Sequence, residues 1–225
     1  MRKLIDVLFP ITSCWIAALL IMLAAAPLTP QTGAEFQSAF RVDKTLGTKG
    51  ENPINLTEGY RLECRDGNNT DTLTVLNETK VIDGVETRVV EDREMKNGAP
   101  IEVTRDYYAI DSLTNDVYYF GEDVDVYKNG KVVGHEGAWL SGVNGAKFGL
   151  MMPGAPRKGH RFYEEQAPGV GMDRAEILGL DEKVATPSGT FDHCVHVVET
   201  SDLEKGMRDH KWYRGSGKSK TANCS

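Results

Sequence analysis

From residue 60 onward the chain alternates apolar and polar positions in short segments that turn residues separate. The segments 60–65, 73–81, 85–91 and 101–110 show this two-residue period, which is typical of strands with one buried face. Further segments rich in β-forming residues follow at 117–120, 123–128, 131–133, 161–165, 175–184, 191–200 and 209–213. The pattern therefore predicts strands along most of the chain and no long helix.

Turn dipeptides lie between successive strand segments. Asp83-Gly84, Asn97-Gly98 and Asn129-Gly130 are the residue pairs that favour two-residue hairpin turns, because both positions adopt positive φ. Hairpins between consecutive strands predict an antiparallel meander. We therefore predict an all-β fold over residues 52–213, a curved antiparallel meander in the form of a half-open barrel or a clam-like sheet.

Residues 134–159 interrupt this rhythm with seven glycines and two prolines. Apolar residues are scattered among them, which argues against a disordered linker. We predict a long, Gly-rich apolar loop that packs against the sheet. Such a loop can either line a pocket for an apolar ligand or plug the open side of the sheet. The predicted ligand-binding residues are Trp139, Phe148, Met151, Met152 and Phe162.

The N-terminal region has the pattern of an export signal. A basic start is followed by an apolar run of 14 residues over 14–27. This run is shorter than the roughly 20 residues that cross a bilayer and fits a secretory signal. We predict a signal peptide over 1–34, with cleavage within 24–34 and no permanent membrane span afterwards. The expected location is periplasmic or extracellular, and residues 35–51 are predicted to be a linker.

Composition and charge limit the functional classes. The chain has 225 residues, 26 basic and 33 acidic side chains, and a formal net charge of -7. Nucleic-acid binding is not expected, because it needs a basic patch and the sequence contains none. The length fits one β-rich domain, which we expect to be a monomer.

Removal of the signal peptide leaves Cys64, Cys194 and Cys224. An exported protein meets an oxidising environment, so a disulfide between Cys64 and Cys194 is one possibility. The alternative is that both are small buried residues.

A cluster of acidic residues with one histidine is the first candidate for chemistry. Asp123 and Asp125 share a strand face, and Glu122, His135 and Glu136 lie within one hairpin of them. This composition suits a carboxylate- and histidine-based hydrolase, and the alternative is a solvated, charged hairpin face. No metal-binding spacing is present, so neither a metal nor a cofactor is expected.

Other polar residues carry weaker signals. Glu164 with Glu165, or Asp173 with Glu176, has the composition of a glycosidase acid/base pair. The histidines are dispersed along the sequence, and His196 lies in an apolar run that is typical of a strand-face histidine.

Linked motifs cover residues 106–191. They are Tyr118-Tyr119-Phe120-Gly121-Glu122-Asp123, Asn129-Gly130, Glu136-Gly137-x-Trp139, Gly142-x-x-Gly145-Ala146, Met152-Pro153 and Pro187-x-Gly189-x-Phe191. In this combination the chain resembles a widespread, uncharacterised family of secreted bacterial β-rich proteins over residues 52–213. The resemblance implies export and a β fold and transfers no activity.

The sequence departs from that family after Tyr213. There the family continues with an apolar closing strand, whereas residues 214–225 are almost entirely polar here. We predict that this tail is degenerate or frameshifted and forms no strand.

The leading functional hypothesis is a non-catalytic binding module for an apolar or envelope-derived ligand. The alternatives are the carboxylate-based hydrolase and an envelope interaction protein that binds no small ligand.

Overall fold

The computed structural model describes residues 35–41 and 44–214 and the backbone strand at 223–224. The predicted signal peptide therefore lies outside the described residues. Within the described part of the chain there is no helix with the length and apolarity needed to cross a bilayer. The strands are β1 (Leu46–Gly47), β2 (Arg61–Asp66), β3 (Asn69–Ile82), β4 (Val85–Lys96), β5 (Ala99–Asp111), β6 (Val117–Lys128), β7 (Lys131–Gly134), β8 (Trp139–Leu140), β9 (Lys147–Met152), β10 (Arg161–Tyr163), β11 (Glu165–Gln166), β12 (Asp173–Thr186), β13 (Gly189–Ser201), β14 (Asp209–Arg214) and β15 (Asn223–Cys224).

These strands form two sheets. The larger has the order β11-β9-β6-β5-β4-β3-β2-β15, with β1 paired to β5 and with β7 and β8 paired to β6. The smaller has the order β10-β12-β13-β14 and is strongly curled into a half-barrel. The predicted all-β class and curved antiparallel meander are confirmed.

The hairpin turns follow from the dipeptides. Asp83 and Gly84 have φ angles of 51° and 78°, and Asn129 and Gly130 have 53° and 73°. Both residues of each pair are in the left-handed region, which matches the twist of the flanking strands. These turns join β3 to β4 and β6 to β7. Consecutive strands from β2 to β6 and from β12 to β14 are neighbours in their sheets.

One apolar cluster joins the two sheets. Leu150 and Met152 of β9 pack with Ile177 of β12 and with Val195 and Val197 of β13. Ile177 and Met152 are completely buried. Burial of aliphatic side chains from both sheets holds them face to face, at about 1.5–3 kcal/mol for each fully buried side chain.

The described residues of the predicted linker, 35–41 and 44–51, include segments that pair with strands of the fold. Gln37 forms a β-bridge with Phe162, and β1 pairs with β5 through Leu46 and Asp111. Phe40 packs against buried residues of two apolar clusters. Burial of the apolar surface of Phe40 favours the packing of this otherwise polar segment against the sheets.

The Gly-rich segment 134–159 is more regular than the predicted loop. It contains β8 and β9, both of which pair with β6. Two strands form here because β7 pairs only with residues 126–128 of β6, so the remaining part of that edge is left for β8 and β9.

The tail also differs from its prediction. Residues 215–222 and 225 lie outside the described residues, but Asn223 and Cys224 form a strand parallel to β2, opposite Glu63 and Cys64. The prediction that no strand forms is wrong, because backbone pairing on an open sheet edge does not require an apolar pattern.

A glycine at residue 121 permits the contact between β6 and β8. Gly121 has a φ of +121°, and a Cβ there would lie 2.2 Å from the Trp139 carbonyl oxygen. We predict that Gly121→Ala lowers the free energy of unfolding by about 2–5 kcal/mol, from backbone strain and overpacking. Urea denaturation measures this loss.

The control is Gly130→Ala. Gly130 has a φ of +73° but nothing lies within 4 Å of a Cβ there. We expect a loss of about 1–2 kcal/mol, from the backbone conformation alone. Equal losses in the two variants would contradict the close approach of β8 to Gly121.

Candidate functional site

The predicted acidic cluster is only partly assembled. Asp123, Asp125 and His135 line a surface pocket of about 300 Å³, together with Val103, Arg105, Val124 and Ala138. Glu122 instead pairs across the ladder with Asp106, on the opposite face of β6 from its neighbour Asp123. The exposed Glu136 does not line this pocket.

Solvent-exposed ion pairs occupy this pocket. Lys80 Nζ lies 2.8 Å from Asp123 Oδ2, and the Tyr107 hydroxyl donates to the same oxygen at 2.5 Å. Partial burial alone would raise the pKa of Asp123, but these hydrogen bonds outweigh it and lower the pKa. His135 Nδ1 lies 3.0 Å from Asp125 Oδ1. The arrangement has the features of a solvated, charged hairpin face.

The five predicted ligand-binding residues are divided among several apolar clusters. Phe148 stacks on Phe120 with ring centroids 4.7 Å apart. Met152 and Phe162 are fully buried in the cluster that joins the sheets. Trp139 packs with Tyr119, and the half-buried Met151 contacts the same group. The structure therefore brings together Met152 with Phe162 in one cluster and Trp139 with Met151 in another, and it does not assemble the five residues into one pocket.

A polar ladder crosses β4, β5 and β6 beside Trp139. Asp92 is opposite Thr104, and Asp106 is opposite Glu122, so these residues share one sheet face. Asp92 and Asp106 are almost completely buried.

Two tyrosines extend this ladder. Tyr108 follows Asp106 at the two-residue spacing of a strand face and stacks on Tyr119, with centroids 4.9 Å apart. The Tyr119 hydroxyl donates to Asp106 Oδ1 at 2.8 Å. Burial, followed by the charge of Asp106, raises the pKa of both tyrosines.

A second polar wall comes from the segment around β11 and from the smaller sheet. Glu199 is 4 % exposed, and its Oε2 lies 2.5 Å from Lys211 Nζ. Burial would lower the pKa of Lys211, but Glu199 and its neighbours outweigh that effect and raise the pKa. Tyr213 is hydrogen-bonded to Glu199, and burial raises its pKa. These groups form an ion pair in which Glu199 is buried and Lys211 is partly exposed.

Glu164 lies between β10 and β11, beside this ion pair. The backbone N–H of Glu164 donates to the Asp173 carbonyl at 2.8 Å. The backbone of Glu164 also passes close to Gly149, so that a Cβ added to Gly149 would lie 2.4 Å from the Glu164 carbonyl oxygen. Burial raises the pKa of Glu164 well above its usual value, and the charge of Glu199 raises it further against the opposing effect of Lys211. Glu164 therefore keeps its proton at pH values where exposed glutamates ionise.

The two walls belong to one region. Tyr213 is within electrostatic range of Tyr108, and Glu165 is within range of Tyr119. We call the carboxyl groups that surround these tyrosines and Glu164 the interior acid cluster. Its members are Asp92, Asp106, Glu122, Glu164, Glu165, Asp173 and Glu199.

Some polar atoms in this region have no hydrogen-bond partner. They are Trp139 Nε1, Glu164 Oε1 and Glu199 Oε1, and each belongs to a residue that is at least nine-tenths buried. A buried polar atom without a partner costs about 1–3 kcal/mol. Solvent reaches the edge of the region, because Tyr108, Glu122, Met151 and Lys211 are partly exposed.

The histidines are not all dispersed in space. His196 Nε2 lies 2.7 Å from His210 Nδ1, and His196 Nδ1 lies 3.0 Å from Glu182 Oε1. Trp212 Nε1 donates to Glu182 Oε2 at 2.8 Å. The register of β13 and β14 creates this group, so the absence of sequence clustering was misleading. Among the described residues, no set of three or more His, Cys, Asp or Glu side chains is arranged to hold a metal ion.

Cys64 and Cys194 lie on different sheets, in β2 and β13, and no disulfide joins them. The two thiols do not pair with each other, as in the second of the two alternatives. Cys194 is 2 % exposed, and burial raises the pKa of its thiol. It is the small buried residue of the alternative hypothesis.

Sequence reasoning missed Glu199, Lys211 and Tyr213. One signal was present, because Glu199 follows Val195 and Val197 at the two-residue spacing of a buried strand face. A charged residue in such a position is buried only with a partner. The partner, Lys211, required the register of β13 and β14.

Comparison of the chain with protein-family models, curated proteins and solved structures finds no match. The resemblance drawn from the linked motifs therefore stays a prediction.

The first prediction concerns the buried ion pair. Lys211→Met leaves Glu199 buried without its cation, so we expect a loss of about 3 kcal/mol in the free energy of unfolding. Adding Glu199→Gln should recover part of this loss, because it removes the uncompensated charge. Urea denaturation at pH 7 measures both variants.

Lys183→Met is the matched control. The side chains of Lys183 and Asp192 are 69 % and 56 % exposed, so their ion pair contributes about 0–1 kcal/mol. If Lys211→Met lowered the free energy of unfolding no more than this control does, the ion pair of Glu199 and Lys211 would contribute no more than an exposed pair, and the prediction would be contradicted.

The second prediction concerns the proton on Glu164. The pKa of Glu164 is higher in the folded state than in the unfolded state. The stabilisation that results is complete at pH values below the unfolded-state pKa, and it is lost as the pH rises through the folded-state pKa. Glu164→Gln removes the titrating group, so the variant should gain stability relative to the wild type from about pH 4.5 upward. Denaturation between pH 4 and pH 8 measures the difference.

Glu182→Gln should show the opposite trend. Hydrogen bonds, first from Trp212 and then from His196, lower the pKa of Glu182. Its contribution is therefore present at high pH and lost as pH falls through the folded-state pKa. The same trend in both variants would contradict the assignment for Glu164.

Proposed function

We propose that the protein is an exported, non-catalytic binding module, the ligand of which enters at the interior acid cluster beside Trp139. The ligand is apolar or derived from the cell envelope, and the protein acts as a monomer. The observation that carries the proposal is that apolar side chains pack around Trp139 while Trp139 Nε1 and Glu164 Oε1 are buried without hydrogen-bond partners.

The apolar part of the site is an aromatic wall. Tyr119 and Trp139 pack edge to face, with centroids 5.4 Å apart, and Tyr108 stacks on Tyr119. Met151 contacts the same cluster from a partly exposed position. Aromatic rings and a flexible thioether provide a surface that suits varied apolar ligands.

The polar part supports binding of an organic ligand over simple core packing. The indole N–H of Trp139 and the Oε1 atom of Glu164 are buried without partners. A ligand that supplied hydrogen-bonding groups here would recover part of the cost of leaving these atoms unpaired.

Hydrolysis is the less favoured function for these carboxyl groups. Glu164, with its raised pKa, lies beside Glu199, which is paired with Lys211, and two such carboxyl groups have the composition of an acid/base pair. However, the carboxylate of Glu199 already accepts hydrogen bonds from Lys211 and Tyr213. Those bonds make it a weak base and a weak nucleophile.

Titration with N-phenyl-1-naphthylamine, a neutral apolar fluorophore, tests the proposal. We expect saturable binding of one probe per chain to the wild type. Met151→Gln should weaken binding about tenfold, because it replaces apolar contact area with a polar group. Leu113→Gln, at a 78 % exposed turn residue outside the cluster, should leave binding unchanged. Non-saturable binding, or equal affinity in Met151→Gln, would refute the proposal.

A further inference from the structure

We propose that the mature protein forms a disulfide between Cys64 of β2 and Cys224 of β15, and that this bond fastens the C-terminal tail to the edge of the larger sheet. The register of the two strands is a feature of the structure, and the covalent bond is the inference. It goes beyond the proposed binding function but rests on the proposed export, because disulfides form and persist in oxidising compartments.

The first argument is the register of the two strands. β15 runs parallel to β2, and Cys224 lies opposite Cys64. Neighbouring strands are about 4.7–4.9 Å apart, and residues that lie opposite each other share one face of the sheet. This spacing falls within the roughly 4.4–6.8 Å between Cα atoms that a disulfide spans. The two cysteines therefore occupy positions that a disulfide can join.

The second argument is the placement of the third cysteine. Cys194 is 2 % exposed and lies in β13 of the other sheet. Cys64 is partly exposed in β2, near the end of the larger sheet, where an oxidant in solvent can reach it. Because removal of the signal peptide leaves three cysteines, Cys224 is the partner that remains for Cys64 within one chain.

The third argument is the composition of the tail. Residues 214–225 are almost entirely polar, and β15 has two residues. Backbone pairing of two residues offsets little of the conformational entropy that is lost when the end of a chain becomes ordered. A disulfide at Cys224 supplies an attachment that does not depend on apolar burial. It would close a loop of about 160 residues, and long loops give the largest restriction of the unfolded chain.

The bond gives the tail a structural role at the sheet edge. Of the strands in the described part of the chain, β3 pairs with one side of β2 and β15 alone pairs with the other. An uncovered edge strand is a site for pairing with other chains. Attachment of the tail at Cys64 therefore keeps this edge of the larger sheet covered.

Formation of the bond needs an oxidant, which we assign to the class of small-molecule or protein disulfides. The thiolate of one cysteine attacks the oxidant, forms a mixed disulfide and releases the first thiolate of the oxidant. The thiolate of the second cysteine then attacks the sulfur of the first, which forms the Cys64–Cys224 bond and releases the second thiolate. The oxidant gains two electrons and ends as two thiols, which take up the protons of the two cysteines.

Peptide mapping of the purified protein after oxidation with glutathione disulfide tests the pairing. Remaining thiols are blocked with N-ethylmaleimide in urea, and the protein is digested with trypsin without reduction. Trypsin releases Cys64 in peptide 62–65, Cys224 in 221–225 and Cys194 in 184–205. We expect 62–65 to be linked to 221–225 in a chain that is monomeric on non-reducing electrophoresis, and 184–205 to carry the maleimide.

Three results of this mapping would overturn the proposal. They are a link between 62–65 and any other peptide, a disulfide-bonded dimer, and maleimide on both 62–65 and 221–225. The oxidant is added to purified protein, so the outcome does not depend on export. A failure of the pairing therefore leaves the proposed function intact.

Two variants separate this pair from the remaining cysteine. Reduction with dithiothreitol should lower the urea midpoint of the oxidised wild type and of Cys194→Ala, because it removes the restriction on the unfolded chain. Cys224→Ser should have the same midpoint with and without the reductant. Each comparison is made within one variant, so stability lost through the substitution itself does not enter. A midpoint that falls on reduction of Cys224→Ser, or that stays constant in the wild type, would overturn the proposal.

Discussion

The ion pair between Lys211 and Glu199 is the interaction on which the interior of this protein depends. A single ionised carboxylate in a dry interior is strongly unfavourable, and the cation beside it makes the charge tolerable. Burial raises the pKa of Glu164, and the neighbouring Glu199 raises it further. The charge states of the site therefore follow from one contact between β13 and β14.

The surface and interior acidic groups show how strongly context determines the behaviour of a carboxylate. Asp123 is hydrogen-bonded to Lys80 and Tyr107 at the solvent boundary, and its pKa is lowered. Glu164 lies in the interior, where burial has the larger effect and its pKa is raised. The pKa of a carboxyl group is thus lowered at the solvent boundary, where cations and hydroxyl groups bind it, and raised in the interior.

Strands and turns could be predicted from the sequence because they depend on local chemistry. The turn at Asn129-Gly130 requires only residues that tolerate positive φ, and the alternation on β5 requires only one buried face. The candidate site could not be predicted in the same way. Glu199 and Lys211 meet through the register of β13 and β14, and Glu164 joins them through the packing of two sheets. Such contacts are non-local, so spacing along the chain does not reveal them.

The most direct test is the carbon-13 NMR titration of the glutamate side-chain carboxyl groups, with Glu164→Gln used to assign the resonance. We expect one glutamate carboxyl to titrate well above the ordinary range, and its resonance to be missing from the variant. Titration of every glutamate carboxyl near pH 4.3, the ordinary value, would contradict it.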